Sequence, residues 1–329
     1  MPLHEKVFWS LIFFLSGILF TSFFLHTPSI ILFLVLIATF IVAFFLIIGK
    51  TRLAVCFMLF IVGGFYLLQY DKVGMNVALP DDDMVFQGIV KEVRLSLDRQ
   101  TVIVKLESPY KGLIALGLNR YPSMSYGDAI EVKGKITEIP ENSSRFFEKE
   151  GIQYRSQFPN VTILQHREGI SLKGYLFDLK LSLEHTIKSF LPHESAAFLS
   201  GLLLGDIGDF TPEFREKLSA TGTSHLVALS GYNIAIIASA IMVLCGRFFS
   251  RRTTLFLTMA SIVLFVIMTG AEASVTRAGI MAFIIIIAER AGRTYAPRNA
   301  IAAAAFFMAL YNPKIVYWDL GFQLSFAAL

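Results

Sequence analysis

Leu218-Ser-Ala-Thr-Gly-Thr-Ser-His-Leu-Val-Ala-Leu-Ser-Gly-Tyr-Asn-Ile-Ala-Ile-Ile237 is the stretch on which the reading of this chain turns. About 20 residues of helix cross the hydrocarbon of a bilayer, and this stretch has that length. Yet it carries a run of hydroxyls, His225, Asn233, Gly222 and Gly231. Polar groups are costly in hydrocarbon, so they persist there by facing protein, water or a substrate path. On a straight helix His225, Ser230 and Asn233 fall within an arc of about 140°. Such a stripe suits a wet path, and Ser230-Gly231 is a kink point that frees backbone groups toward a cavity. The competing explanation is helix packing through small and hydroxyl side chains, common in membrane bundles.

The rest of the chain places this stretch among other spans. Hydrophobic residues make up 55% of 329 and charged ones 16%, the signature of a polytopic membrane protein. The net charge of +4 mostly reflects arginines in short loops and does not by itself imply nucleic acid. Spans are expected at about Val7 to Leu25, Ile30 to Ile48 and Leu53 to Tyr70. Lys6 before the first could suggest a secretory signal, but there is no small-residue cleavage site, so it is expected to stay as a helix. Of the two short connections only Gly49-Lys-Thr-Arg52 is basic, which puts it and the N-terminus in the cytoplasm. Cys56 and Cys245 lie inside apolar runs and read as small buried residues rather than a disulfide.

From Pro80 to about Gly169 the character changes. Val85 to Val93, Thr101 to Leu106, Gly127 to Ile136 and Val161 to Leu164 are β-branched and partly alternating, with turn residues between them. A small OB-like barrel outside the membrane is expected. Its 12 Lys and Arg against 13 Asp and Glu do not favour tight nucleic-acid binding by the domain as a whole, which leaves only a local groove.

Leu172, Leu176, Leu179, Leu183, Ile187 and Phe190 recur at helical spacing. Two readings are open: a helix lying at the membrane surface, or one packed on the barrel or bundle. Ala196 to Leu204 is too short to cross and ends at Gly205-Asp-Ile-Gly-Asp209, fitting a re-entrant or interfacial helix. Thr211-Pro212-Glu213 starts a further short helix, and Gly222 ends it. Asp206 and Asp209 read first as turn formers, a divalent ion being the other option. Later spans are expected near Leu226 to Cys245, Thr254 to Thr269, Ser274 to Ala288 and Ala300 to Leu310, with a last apolar stretch from Leu320 cut off at Leu329. Gly246 to Arg252 and Glu289 to Arg298 are basic and fall on the cytoplasmic side, in agreement with an outer β domain. Glu272 and Arg277 bracket the start of the span near Ser274, while Asp319 and Gln323 share a helix face.

Several chemistries lack their residues. None of the six histidines pairs at a metal-ligand spacing. There is no phosphate-cradling Gly-Lys-Ser/Thr loop, and Ser230 lacks the first glycine of a nucleophile elbow. No enzyme activity, metal or cofactor is expected of this chain.

Five pieces in order resemble the ComEC family of competence proteins. They are Ser144-Arg-Phe-Phe-Glu-Lys-Glu-Gly-Ile152, Gly201-Leu-Leu-Leu-Gly-Asp206, Thr223-Ser-His-Leu-Val-Ala-Leu-Ser-Gly231, Ser274-Val-Thr-Arg-Ala278 and Asp319-Leu-Gly-Phe-Gln-Leu-Ser325. Many members carry His where Asn233 stands. Many also carry a C-terminal metallo-β-lactamase-like domain, of which these residues contain no part. The resemblance implies a multi-pass inner-membrane channel for single-stranded DNA during natural transformation. Three N-terminal helices would occupy 1–70, the outer OB-like domain 80–169, and amphipathic and re-entrant helices 172–222. The competence-type membrane domain would begin at 223 and be truncated at 329. Asp206, Ser224, His225, Ser230, Gly231, Asn233, Arg277 and Gln323 are the expected DNA-path residues. Expected partners are single-stranded DNA, membrane lipid, an outer DNA receptor, a cytosolic ATP-driven translocase and further copies of the chain. A transporter of a small or lipid-linked solute, or the membrane part of a larger nuclease, are the competing functions.

Overall fold

Among the described residues three helices are long and apolar enough to cross a membrane: His4–Phe23, Thr51–Asp71 and Arg251–Met268. They belong to a computed structural model that describes residues 3–24, 39, 42–43, 45, 47–74, 83–108, 110, 112–139, 147, 149–166, 171–224, 231–290, 292 and 296–327. In chain order α1 is Leu3–Phe23 and α2 Thr51–Gly74. The strands are β1 (Asp83–Leu95), β2 (Arg99–Leu106), β3 (Leu113–Asn119), β4 (Ala129–Lys135), β5 (Thr137–Glu138), β6 (Ile152–Gln157) and β7 (Asn160–Gln165). Then come α3 (Leu172–Phe190), α4 (His193–Leu204), α5 (Pro212–Ala220), α6 (Gly231–Gly246) and α7 (Arg251–Met268). The chain ends in α8 (Ala273–Arg290), α9 (Pro297–Tyr311), α10 (Ile315–Trp318) and α11 (Leu320–Ala327). Two units form, Met1–Asn76 with Ile280–Leu329, and Val77–Gly279.

In the first unit glycines let α1 and α2 touch backbone to backbone. A Cβ on Gly17 would sit 2.0 Å from the Phe60 carbonyl oxygen, and one on Gly63 2.2 Å from that of Phe14. Between apolar helices, close approach through small residues is what holds the pair, since lipid offers no hydrophobic driving force. The contacts Phe13 with Phe57, Gly17 with Phe60 and Thr21 with Gly64 climb together, so α1 and α2 run parallel. The chain between them must therefore return to its starting end. The expected second span falls mostly outside the described residues, though 39, 42–43, 45 and 47 are helical. Helix α9 also lies along α1, with Asn299 Nδ2 donating to the His4 carbonyl at 3.2 Å and the Phe14 and Phe306 rings 5.1 Å apart. Gly17→Ile is expected to cost about 1–3 kcal/mol by overpacking. This is read as a lower thermal midpoint of the detergent-purified protein, whereas Val55→Ile at an exposed site leaves the midpoint unchanged.

The second unit opens with seven strands in the order β5-β6-β3-β2-β1-β4-β7. All pairings are antiparallel except that of β3 with β6. The expected closed barrel does not form by hydrogen bonding: among the described residues no ladder joins β6 to β7. These strands are nevertheless consecutive in the chain, separated only by Phe158 and Pro159. Phe158 adopts a left-handed φ of 51°, and Pro159 has no N–H to donate, so the chain turns from the β3 side to the β4 side there. Ser156 Oγ donates to the Lys135 carbonyl at 2.7 Å across the same gap. The sheet curls around one core, with Val90, Val102, Val104, Ile114, Leu116, Ile130 and Val132 buried and Tyr154 and Val161 packed on them.

Local signals set the helices that follow. Ser171, Thr211 and Ser250 cap α3, α5 and α7, each side chain accepting from a backbone N–H in the first turn. Gly205, at φ 73°, ends α4 in the left-handed conformation that glycine adopts freely. Helix α3 forms where expected, but its leucine stripe faces outward. Leu172, Tyr175, Leu179, Leu183 and Phe190 are exposed, whereas Leu176 and the acidic Glu184 are buried against neighbouring elements.

Candidate functional site

The turn after α4 is held by its own acids. Asp206 Oδ1 accepts the Gly208 N–H at 2.9 Å, closing an Asx turn. Gly208 is pressed on the β1–β2 connection, where a Cβ would lie 2.1 Å from the Leu95 carbonyl oxygen. Only glycine allows that approach. Beside it Asp209, itself buried, takes Lys188 of α3 at 2.5 Å and Arg120, just past β3, at 3.5 Å. Arg120 also donates to the Leu97 carbonyl at 2.8 Å. One carboxylate thus ties the amphipathic helix and the β sheet to the loop. Burial works to raise the Asp209 pKa, but the Lys188 hydrogen bond and the charges of Lys188, Arg120 and His193 hold it below its ordinary value.

Glu184 of α3 sits on the other side of this loop. It is 3% exposed and shares a hydrogen bond with Asp206. Burial first, and then the charge of Asp206, push its pKa up to about 7 against the opposing pull of Lys180 and Lys188. Below that value the Glu184 carboxyl keeps its proton and can donate it in the hydrogen bond to Asp206.

Of the expected path residues, the second unit gathers several near this loop and α6. Asn233, in the first turn of α6, donates its Nδ2 to the Leu202 carbonyl at 2.8 Å. Leu202 lies in the last turn of α4, where carbonyls lack helical partners, so Asn233 caps one helix from another. Gly231 begins α6 opposite α8, an added Cβ reaching 3.3 Å from the Ala278 Cβ. Arg277 adjoins that contact, half-buried near the start of α8. Ser224 is exposed in a helical turn, whereas His225 and Ser230 lie outside the described residues. Gln323 belongs to the first unit. Its Nε2 donates to the Val316 and Tyr317 carbonyls at 3.2 and 2.6 Å, capping α10 in the same way as Asn233 caps α4.

Sequence reasoning did not single out Glu184, Lys188, Arg120 or the pair Asp71 and Lys314. The last two meet at 2.7 Å with side chains 9% exposed, joining the end of α2 to the turn after α9. The one available signal was a charge abutting an apolar run, and that pattern equally describes a solvated helix end. Among the described residues no group of three or more His, Cys, Asp or Glu side chains is placed to hold a metal ion.

The sequence profile of the Competence family, described as competence protein, matches residues 202–329. Those residues hold the loop from Leu202, α6 and α8. ComE operon protein 3 of Bacillus subtilis (strain 168) is 25% identical over 307 residues, 88% of this chain. Both matches agree with the resemblance of this chain to the ComEC family of competence proteins. The chain spans 39% of the length of that relative. Aspartyl tRNA synthetase from Entamoeba histolytica aligns with 57% of this chain and 41% of its own at 8% identity, and the TM-score of 0.23 carries no argument.

Proposed function

We propose that this chain forms the membrane part of an inner-membrane conduit that admits single-stranded DNA during natural transformation. Similarity to the ComEC family, through a 25% identical relative aligned to 88% of the chain, is the observation that carries the reading. The N-terminus and the basic loops lie in the cytoplasm and the β sheet outside, in keeping with the parallel α1 and α2, which require a returning segment between them. An OB-type reading of the sheet is supported by the β1–β2–β3 meander, the parallel β3–β6 pair and the antiparallel β1–β4 pair.

A polyanion crossing hydrocarbon needs hydroxyls, amides and a few cations, without a site that traps it. In the second unit Asp206, Ser224, His225, Ser230, Gly231, Asn233 and Arg277 supply or shape that path. The chain is a conduit and not itself a catalyst. A cytosolic ATP-driven translocase pulls the strand, an outer receptor delivers it, and assembly with further copies and with lipid completes the channel.

Transformation frequency in the host, with the gene deleted and then restored, tests this against electroporated plasmid as a control for recombination and viability. Deletion is expected to abolish natural transformation alone. A restored gene carrying His225→Leu, Ser230→Leu and Asn233→Leu together, at normal expression, is expected to fail at rescue. Unchanged import in the deletion strain would overturn the function, and full rescue by the triple variant would overturn the path.

A further inference from the structure

The first unit gathers cations at one end. The contacts Phe13 with Phe57 and Gly17 with Phe60 fix the register of the parallel helices α1 and α2, which sets Lys50 level with Lys6 and Arg52 level with Phe8. Helix α9 starts at the same end, where Asn299 meets His4, and runs the same way to the pair Phe14 and Phe306. From its first turn Arg298 reaches over α1, its guanidinium carbon 3.9 Å from the centroid of the Phe8 ring. Stacking occupies the face of a guanidinium and leaves its edge of N–H donors open to an acceptor in the plane. Lys6, Lys50, Arg52 and Arg298 are all exposed, and the first turn of α1 sets only Glu5 against them. The layer is therefore positive.

Depth identifies what faces it. From Arg52 to Asp71 helix α2 rises about 28 Å, close to the roughly 30 Å of bilayer hydrocarbon. Between these levels the exposed side chains of α2 include Val55, Met58, Val62 and Phe65, all apolar. The pair Asp71 and Lys314 stands at one boundary and the cation layer at the other. Trp9, beside Phe8 and 42% exposed, places an indole where aromatic side chains anchor spans among headgroups. At that depth the anions next to the protein are lipid phosphates.

We propose that the shared start of α1 and α9 binds the headgroup phosphate of an anionic phospholipid, with Arg298, braced on Phe8, as its ligand and Lys6, Lys50 and Arg52 supplying the surrounding positive field. A braced guanidinium loses little freedom when it grips a phosphate with two N–H donors. The neighbouring cations favour a lipid of net negative charge over a zwitterionic one, whose own ammonium they repel. A lipid held there joins α1 to α9 at an end where the printed polar contact is the single bond from Asn299 to the His4 carbonyl. The inference goes beyond the DNA-uptake reading and rests on the proposed orientation only for the leaflet the lipid comes from.

Native mass spectrometry of the full chain in detergent tests the site, with titrations of phosphatidylglycerol, phosphatidylcholine of the same acyl chains, and inorganic phosphate. Wild type is expected to retain phosphatidylglycerol in preference to phosphatidylcholine and to show no comparable uptake of inorganic phosphate. Arg298→Gln is expected to weaken the first phosphatidylglycerol bound by about fivefold, the effect of one basic residue at an anionic surface. Phe8→Leu, which removes the brace and keeps every charge, is expected to weaken it as well. Arg247→Gln, at an exposed arginine of the second unit, is expected to leave it unchanged. Thermal midpoints without lipid are expected to match wild type for Arg298→Gln, whose side chain lies on the surface. Equal retention of the two lipids, an unchanged affinity in Arg298→Gln, or an equal fall in Arg247→Gln would each overturn the site. Detergent solution has no leaflets and the titration contains no DNA, so failure here is separate from failure of the orientation or of the uptake function.

Discussion

Asp71→Asn lowers the stability of the protein by about 3–5 kcal/mol, and replacing Asp71 and Lys314 together by Leu and Met restores most of it. The two side chains meet at 2.7 Å with 9% of each exposed. Two charges taken out of water are tolerable only together, because each is the other's replacement for solvent. Removing the carboxylate takes from a buried ammonium the opposite charge 2.7 Å away, and much of its desolvation then goes uncompensated. Nearby, the Tyr66 hydroxyl donates to the Leu310 carbonyl at the end of α9, so the pair sits in a polar seam joining α2 to the turn after α9. Thermal unfolding of the two single variants and the double variant in detergent completes the cycle. Additive losses in the double variant would show that the pair does not act as a unit.

Glu184→Gln abolishes a loss of stability that the wild type suffers between about pH 4.5 and 7. The pKa of Glu184 is raised from 4.5 to about 7, burial being the larger cause and the charge of Asp206 the next. Between those values the folded protein keeps a proton that the unfolded chain has released. Stability is therefore fully present below the lower value and is lost as pH rises through the upper one, by roughly 3 kcal/mol in all. Glutamine keeps the hydrogen bond to Asp206 and has no proton to lose, so the profile of thermal midpoint against pH flattens. Asp209 works in the opposite sense. With its pKa held down it contributes stability above its ordinary value of 3.8 that is lost only in stronger acid. The two effects occupy separate pH ranges, and a wild-type profile that is flat from 4.5 to 7 would remove Glu184 from this account.

Much of the architecture was legible in the chain because its causes are local. Helices α1, α2, α7 and α9 lie where long apolar runs demanded them, and Thr211-Pro212 started α5 where a hydroxyl followed by proline should. The turn at Asp206 was also legible, since an Asx turn needs only residues two apart. The direction in which α3 points its leucines was not. Periodicity marks which residues share a face, but it does not say what lies against that face, and here the neighbour is an acidic loop that accepts Glu184. Asn233 was singled out for its polarity in an apolar segment, yet its partner is a carbonyl of another helix.

Length, apolar runs, β-branched segments and the ordered motifs by themselves determined that this is a helical membrane-type chain with a β insert, and that its motifs resemble those of the ComEC competence proteins. Each of those features depends on neighbours within a few turns of chain, whose energetics the sequence carries directly. The tertiary structure alone decided that Asp71 meets Lys314, that Asp209 joins Lys188 to Arg120, and that Arg298 lies over Phe8. The partners in these sets are separated by about 20 to over 200 residues. A charge or a ring has no sequence signal for its distant partner, because burial, pairing and exposure arise only once the elements have packed.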